Sequence, residues 1–146
     1  MQDRGPAAYI AEFIGTLLLV FFITAAVSVY IDEPTRLNPN PFTDFSVIGL
    51  VHVFVLFVLI QTLAVISGAH FNPAVTVTMT ALRQIKPPDA AIYIVAQMAG
   101  AVGGALLTKG LLLNEGDAQN YGAVGVSDLL DGKILPSIRS ETAVAP

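Results

Sequence analysis

The chain has 146 residues, 54% of them hydrophobic and only 12% charged, with a mean hydropathy of +0.70. A water-soluble domain carries about a quarter charged residues, so these values exclude that class and place the chain in a membrane. The lack of cysteine removes disulfides, thiolate metal sites and thiol catalysis. The net charge of −4 comes with no basic cluster suited to nucleic acid.

Met1 to Pro6 leads into an apolar run from Ala7 to Ile31. The run is too long for a signal-peptide core, and no small-residue cleavage site followed by a soluble domain is visible. It reads as a retained first span. Its one charge is Glu12, on a line with Ala8, Gly15 and Leu19 at helical spacing, which can turn the carboxylate into the bundle. An ionisable side chain inside a span costs roughly 2.5–3.5 kcal/mol on insertion scales and marks a functional position. The plainer alternative is a glutamate near the water interface. Asp32 to Asp44, with Pro34, Pro39 and Pro41, reads as a loop. Phe45 to Ile66 is the second span, interrupted only by His52, Gln61 and Thr62.

The next stretch, Ser67-Gly68-Ala69-His70-Phe71-Asn72-Pro73-Ala74-Val75-Thr76, sets polar side chains, a glycine and a proline between two apolar spans. Irregular backbone at membrane depth is tolerated where protein buries it or where it lines a water-filled cavity. Asn72-Pro73 is a helix start, because asparagine caps well and proline has no N–H to lose at the first helical position. A helix from Pro73 to Leu82 or Arg83 is roughly 15 Å long, half a hydrocarbon core. Residues 67–83 therefore predict a re-entrant loop and half-helix with its positive end at the bilayer interior. Asn72 would present amide donors there. The carbonyls of Gly68, Ala69 and His70 would be acceptors, Gly68 would permit the turn, and Glu12 would accept N–H bonds from the buried loop. The simpler alternative for Asn72 is an ordinary cap.

Pro87-Pro88 stops the half-helix. Ala90 to Leu113 is the third span, with Ala96, Gly100 and Gly104 forming a small-residue ridge that lets helix backbones approach closely. Gln97 on the same span can bond a neighbouring helix or the loop. Asn114 to Gly125 is polar, and Ser127 to Pro146 never recovers a spanning run. The expected organisation is a membrane unit over residues 1–126, with spans at 7–31, 45–66 and 90–113, followed by a water-exposed, poorly ordered tail over 127–146. Arg4, Arg83 and Lys86 outnumber the basic residues of the other connections, which sets the N-terminus on the cytoplasmic side.

The stretch Ser67 to Thr76 resembles the first Asn-Pro-Ala loop of the aquaporin, or major intrinsic protein, family. Ala11-Glu12-Phe13-Ile14-Gly15-Thr16 resembles that family's first-span signature, and Gln97 with Gly100 and Gly104 its third span. The resemblance covers Ala7 to about Gly125. It implies an all-α polytopic membrane fold of three spans and one re-entrant half-helix, half of an aquaporin-like fold. The family carries two inverted halves with one Asn-Pro-Ala loop each. This chain carries one, and no residue of it can be given the role of the arginine that follows the second loop.

The resemblance implies a channel for passive passage of water, and of small neutral solutes of the glycerol class, with activity conditional on a second half. Asn72, Pro73 and Ala74 would form the pore motif, Gly68, Ala69 and His70 its carbonyl lining, and Glu12 the loop's brace. His52 stands where the family places an outer-constriction residue. A histidine there resembles the more permissive members, and its alternative is a histidine bonded within the bundle. His70 is read as a brace of its own loop. The implied partners are the lipid bilayer and further copies or relatives, with a tetramer suggested by the family, in the plasma membrane. The competing class is a non-conducting subunit that associates with full-length channels. Two histidines and one intramembrane glutamate make no metal set and no nucleophile–base pair, so neither cofactor nor catalysis is expected.

Overall fold

A computed structural model describes residues 5–30, 41–118 and 120–122. The elements are α1 (Pro6–Tyr30), α2 (Pro41–Ser67), α3 (Pro73–Ala81), α4 (Pro87–Leu111), α5 (Leu113–Ala118) and a short 3-10 turn at Asn120–Gly122. Among the described residues there is no strand. The expected tail at 127–146 lies outside them. Each of the four longer helices opens on a proline, at Pro6, Pro41, Pro73 and Pro87, where the missing N–H had no intrahelical partner to lose. For α2 this starts the helix at Pro41, upstream of the apolar run itself. Among the described residues three helices are long and apolar enough to cross a membrane: Pro6–Val29, Ser46–Ser67 and Pro87–Leu111.

α1 is the central helix, packed on α4 along one side and on α2 along another, while among the described helices α2 has close backbone neighbours only on α1. α1 and α4 run parallel in a constant register. Glu12 meets Gln97, and Thr24 meets Thr108 at Oγ–Oγ 2.6 Å. Between those pairs lie Gly100 and Gly104. A Cβ on Gly100 would run into the carbonyl oxygen of Phe13 and lie 3.1 Å from the Leu17 N, and one on Gly104 would meet the Leu17 carbonyl and lie 3.0 Å from the Phe21 N. Ala96, one turn earlier on this line, is half-buried. Backbone contact this close gives dispersion attraction where lipid supplies no hydrophobic drive.

Burial is inverted relative to a soluble protein. Glu12, Ser67, Thr76, Gln97 and Thr108 are fully buried, while Phe54, Val65 and Val95 are exposed. Lipid can solvate apolar side chains but offers no partner to polar ones, so polar groups turn inward and pair. At the start of α1 and α4 a small apolar cluster of Ala8, Ile85, Ala90 and Tyr93 closes the seam. There Tyr9 Oη donates to Asp89 Oδ1 at 2.7 Å, and the Tyr9 and Tyr93 rings meet edge to face at 5.9 Å.

α3 ends in a Schellman cap. The N–H of Gln84 reaches the Met79 carbonyl and that of Arg83 the Thr80 carbonyl, both at 2.9 Å. Arg83 holds the left-handed position with φ 58°, a place where glycine is usual.

Candidate functional site

The site is the segment between α2 and α3, and it begins with backbone that resists its own conformation. Gly68 (φ 90°), Ala69 (φ 52°) and Phe71 (φ 48°) all have positive φ. Two of these three carry a Cβ, which makes the left-handed region costly, so something outside the segment must hold it. The Glu12 carboxylate is that holder. Oε1 accepts the His70 N–H at 2.9 Å and Oε2 the Phe71 N–H at 2.7 Å. Gln97 Nε2 donates to the same Oε2 at 2.8 Å. Glu12 is therefore wholly buried and hydrogen-bonded, not set at a water interface.

Other elements fasten the segment from further sides. Tyr93 Oη donates to the Ser67 carbonyl at 2.7 Å, and Ser67 Oγ accepts the Ala69 N–H at 3.0 Å. The Phe71 ring lies against Gly15, where any Cβ would collide with it. Gly15 thus serves the loop by its lack of a side chain. Buried His70 shares Nδ1···Oγ1 with Thr76 at 3.1 Å, and its ring meets Tyr93 edge-on at 5.3 Å. Gln97 Nε2 also reaches Thr76 Oγ1 at 2.9 Å, which ties the first turn of α3 to α4 and α1.

Asn72 is the N-cap of α3, in extended conformation at φ −149°, ψ 126°. Its Oδ1 accepts the Ala74 N–H at 2.8 Å. That bond fixes the side-chain amide, since an N–H donor must face the oxygen. The Nδ2 amide is left as an exposed donor with no acceptor among the described residues. It sits at the positive end of α3, beside Pro73 at the first helical position. Capping and presenting a donor are thus two uses of one side chain, each with its own atom. The carbonyls of Gly68 and Ala69 receive no donor among the described residues.

His52 is exposed on α2 and has no hydrogen-bond partner among the described residues, so it is not tied into this half of the bundle. It lies on the line of Leu56, Leu59 and Leu63, and Leu59 is buried against α1. Sequence reasoning gave no role to Thr76, Tyr93 or Ser67. The signal for Thr76 was its place one turn after Asn72, where its hydroxyl falls beside the cap. Thr108 was legible as the next step of the Ala96, Gly100, Gly104 line. Two buried atoms, Thr16 Oγ1 and Gln97 Oε1, have no hydrogen-bond partner among the described residues.

The sequence profile described as Major intrinsic protein matches residues 4–133. Similar proteins include probable aquaporin PIP2-5 of Arabidopsis thaliana, 37% identical over 124 residues, which are 83% of this chain and 43% of that protein. Aquaporin AqpM of Methanothermobacter marburgensis is 38% identical over 110 residues, 67% of this chain and 44% of its own length. Probable aquaporin PIP2-8 of Oryza sativa subsp. japonica is 42% identical over 106 residues, 71% of this chain and 36% of its own length. The chain spans less than half the length of these relatives.

Proposed function

Because the chain belongs to the major intrinsic protein family, we propose that it forms one half of an aquaporin-like channel for passive passage of water, with small neutral solutes of the glycerol class as secondary substrates. The observation that carries this reading is Asn72: its Oδ1 is consumed by the Ala74 N–H, and its Nδ2 stands exposed at the positive end of α3. A donor there holds a water by its oxygen and turns the hydrogens away, and the helix end disfavours cations and protons. Pro73 and Ala74 continue the motif, and the carbonyls of Gly68, Ala69 and His70 supply acceptors before it.

In this reading Glu12 braces the loop, and Ala96, Gly100 and Gly104 fix the α1–α4 seam on which the brace stands. His52 lines the outer constriction, and its exposure and lack of a partner favour that over a bond within the bundle. Conduction requires a second, inverted half, whether from more chain or from another polypeptide. The protein acts in the plasma membrane as part of an oligomer, with the bilayer and water as its partners. It is no enzyme and needs no cofactor.

The test is osmotic shrinkage of liposomes holding the chain alone, and the chain co-reconstituted with a full-length relative. Conduction speeds shrinkage over empty vesicles, and Asn72→Asp reduces that excess at least several-fold. Shrinkage equal to empty vesicles with the chain alone, and no gain on co-reconstitution, would leave the competing reading of a non-conducting subunit. That reading draws on the same exposed helix faces, which full-length channels could cover.

A further inference from the structure

The buried hydroxyl of Thr76 faces three polar partners and has a single proton to share among them. Gln97 Nε2 stands 2.9 Å away, His70 Nδ1 3.1 Å and the Asn72 carbonyl oxygen 3.3 Å. Chemistry fixes the role of two of these. A carboxamide nitrogen only donates, and both Gln97 N–H bonds are in use, toward Glu12 Oε2 at 2.8 Å and toward Thr76. A carbonyl oxygen only accepts. Two further threonines show where such a hydroxyl sends its proton on α3. Thr78 donates to the Ala74 carbonyl at 2.9 Å and Thr80 to the Thr76 carbonyl at 2.7 Å, each four residues back. Asn72 stands in that same place relative to Thr76. The imidazole can act either way, so the position of its proton follows from the other two partners.

With the Thr76 proton directed to Asn72 and one lone pair engaged by Gln97, the other lone pair calls for a donor. Of the three partners, only an N–H on His70 Nδ1 supplies it. The opposite tautomer would take the hydroxyl proton for Nδ1. It would leave the Asn72 and Thr76 oxygens facing one another at 3.3 Å with no hydrogen between them, where Thr76 and His70 are both buried. We propose that His70 carries a ring proton on Nδ1 and donates it to Thr76, and that Thr76 is a positioning residue for Asn72. The donors then run one way. The Gln97 and His70 N–H groups reach the Thr76 oxygen, and the Thr76 O–H reaches the Asn72 carbonyl, which also accepts the Thr76 N–H at 3.0 Å. Asn72 is held at its carbonyl by Thr76 and at Oδ1 by the Ala74 N–H, and Nδ2 is the atom left to face outward. The role of that donor rests on the proposed pore; the way it is held does not depend on conduction.

The test is solid-state NMR on the full chain in lipid bilayers, with histidine isotopically labelled at its ring nitrogens. The chain has two histidines, and the His52→Gln variant identifies which signals belong to His70. The expected spectrum shows His70 Nδ1 protonated. Thr76→Val keeps the shape of the side chain and removes the hydroxyl, and should lose that preference, while Thr76→Ser should keep it. The hold on Asn72 is read in the same samples from hydrogen exchange at the Ala74 N–H. It should be about fivefold faster in Thr76→Val, the order that one net hydrogen bond contributes, and unchanged in Thr76→Ser. The Phe71 N–H, bound by Glu12 Oε2, is the control for general loosening and should not move. A bare Nδ1 in the native chain overturns the proposal. So does a Thr76→Val variant that leaves either reading unchanged, a Thr76→Ser variant that loses them as valine does, or a Phe71 N–H freed as much as that of Ala74. No flux is measured, so a silent channel and a failed positioning residue are separate results.

Discussion

The α1–α4 seam holds two polar clusters, and they are built on opposite plans. At one end a single carboxylate collects donors from distant parts of the chain: two loop N–H groups and the Gln97 amide. At the other end, hydroxyls lean mostly on their own helices. Thr24 reaches the Val20 carbonyl at 2.8 Å, Ser28 the Thr24 carbonyl at 2.8 Å and Thr108 the Gly104 carbonyl at 3.2 Å, with the Thr24–Thr108 contact as the main crossing. The first cluster is a support whose removal strands several groups. The second is a set of groups that each keep a partner when one is lost. Polar side chains in a membrane seam thus differ less in burial than in how many others depend on them.

The largest effect should come from Glu12→Ala. It strands the His70 and Phe71 N–H groups, and at about 1–3 kcal/mol per buried unsatisfied group the loss is about 2–6 kcal/mol. The expected reading is a collapse of the thermal midpoint in detergent together with loss of any flux. Glu12→Gln tests the same node more gently, since one oxygen remains to accept. Next comes the ridge between the clusters. Gly104→Ala pushes a Cβ into the Leu17 carbonyl and should cost about 1–3 kcal/mol as overpacking, read as a lower midpoint with helicity retained. Thr108→Val should cost only about 0.6–1.7 kcal/mol, since Thr24 keeps its Val20 bond. A Thr108→Val loss equal to that of Glu12→Ala would break the contrast between the two plans. Smallest, and opposite in sign, is Arg83→Gly outside both clusters. It relieves a left-handed residue and should raise stability by about 0.5–1 kcal/mol, visible as a small upward shift of the midpoint.

The same contrast explains what could be read from the sequence. Glu12 was visible because a charge in an apolar run has to be accounted for, and the glycine ridge because its spacing matches a helix face. Asn72-Pro73 announced a helix start chemically, and the structure adds which amide atom does the capping. The threonines were not visible as a cluster, because a hydroxyl can always bond its own helix and so carries no demand for a partner in its spacing. Tyr93 and Ser67 were hidden for another reason. Their bond spans separate helices, and only the register of α4 against the loop brings them together. The left-handed Ala69 and Phe71 were beyond reach, since neither residue type advertises positive φ and the conformation is imposed by Glu12. Pro41 as the true start of α2 was hidden inside a proline-rich connection that read as loop.

The bonds from Glu12 to the loop also set an order of events. Its first partner, the His70 N–H, lies 58 residues further along the chain, and at ~5–20 residues per second synthesis needs roughly 3–12 s to reach it. Gln97 comes later still, 85 residues away. α1 therefore enters the bilayer carrying an unmatched carboxyl group, and the loop cannot take its strained shape until that helix is waiting for it. The re-entrant segment thus settles only after α1, and its template is the first of the described helices to be made.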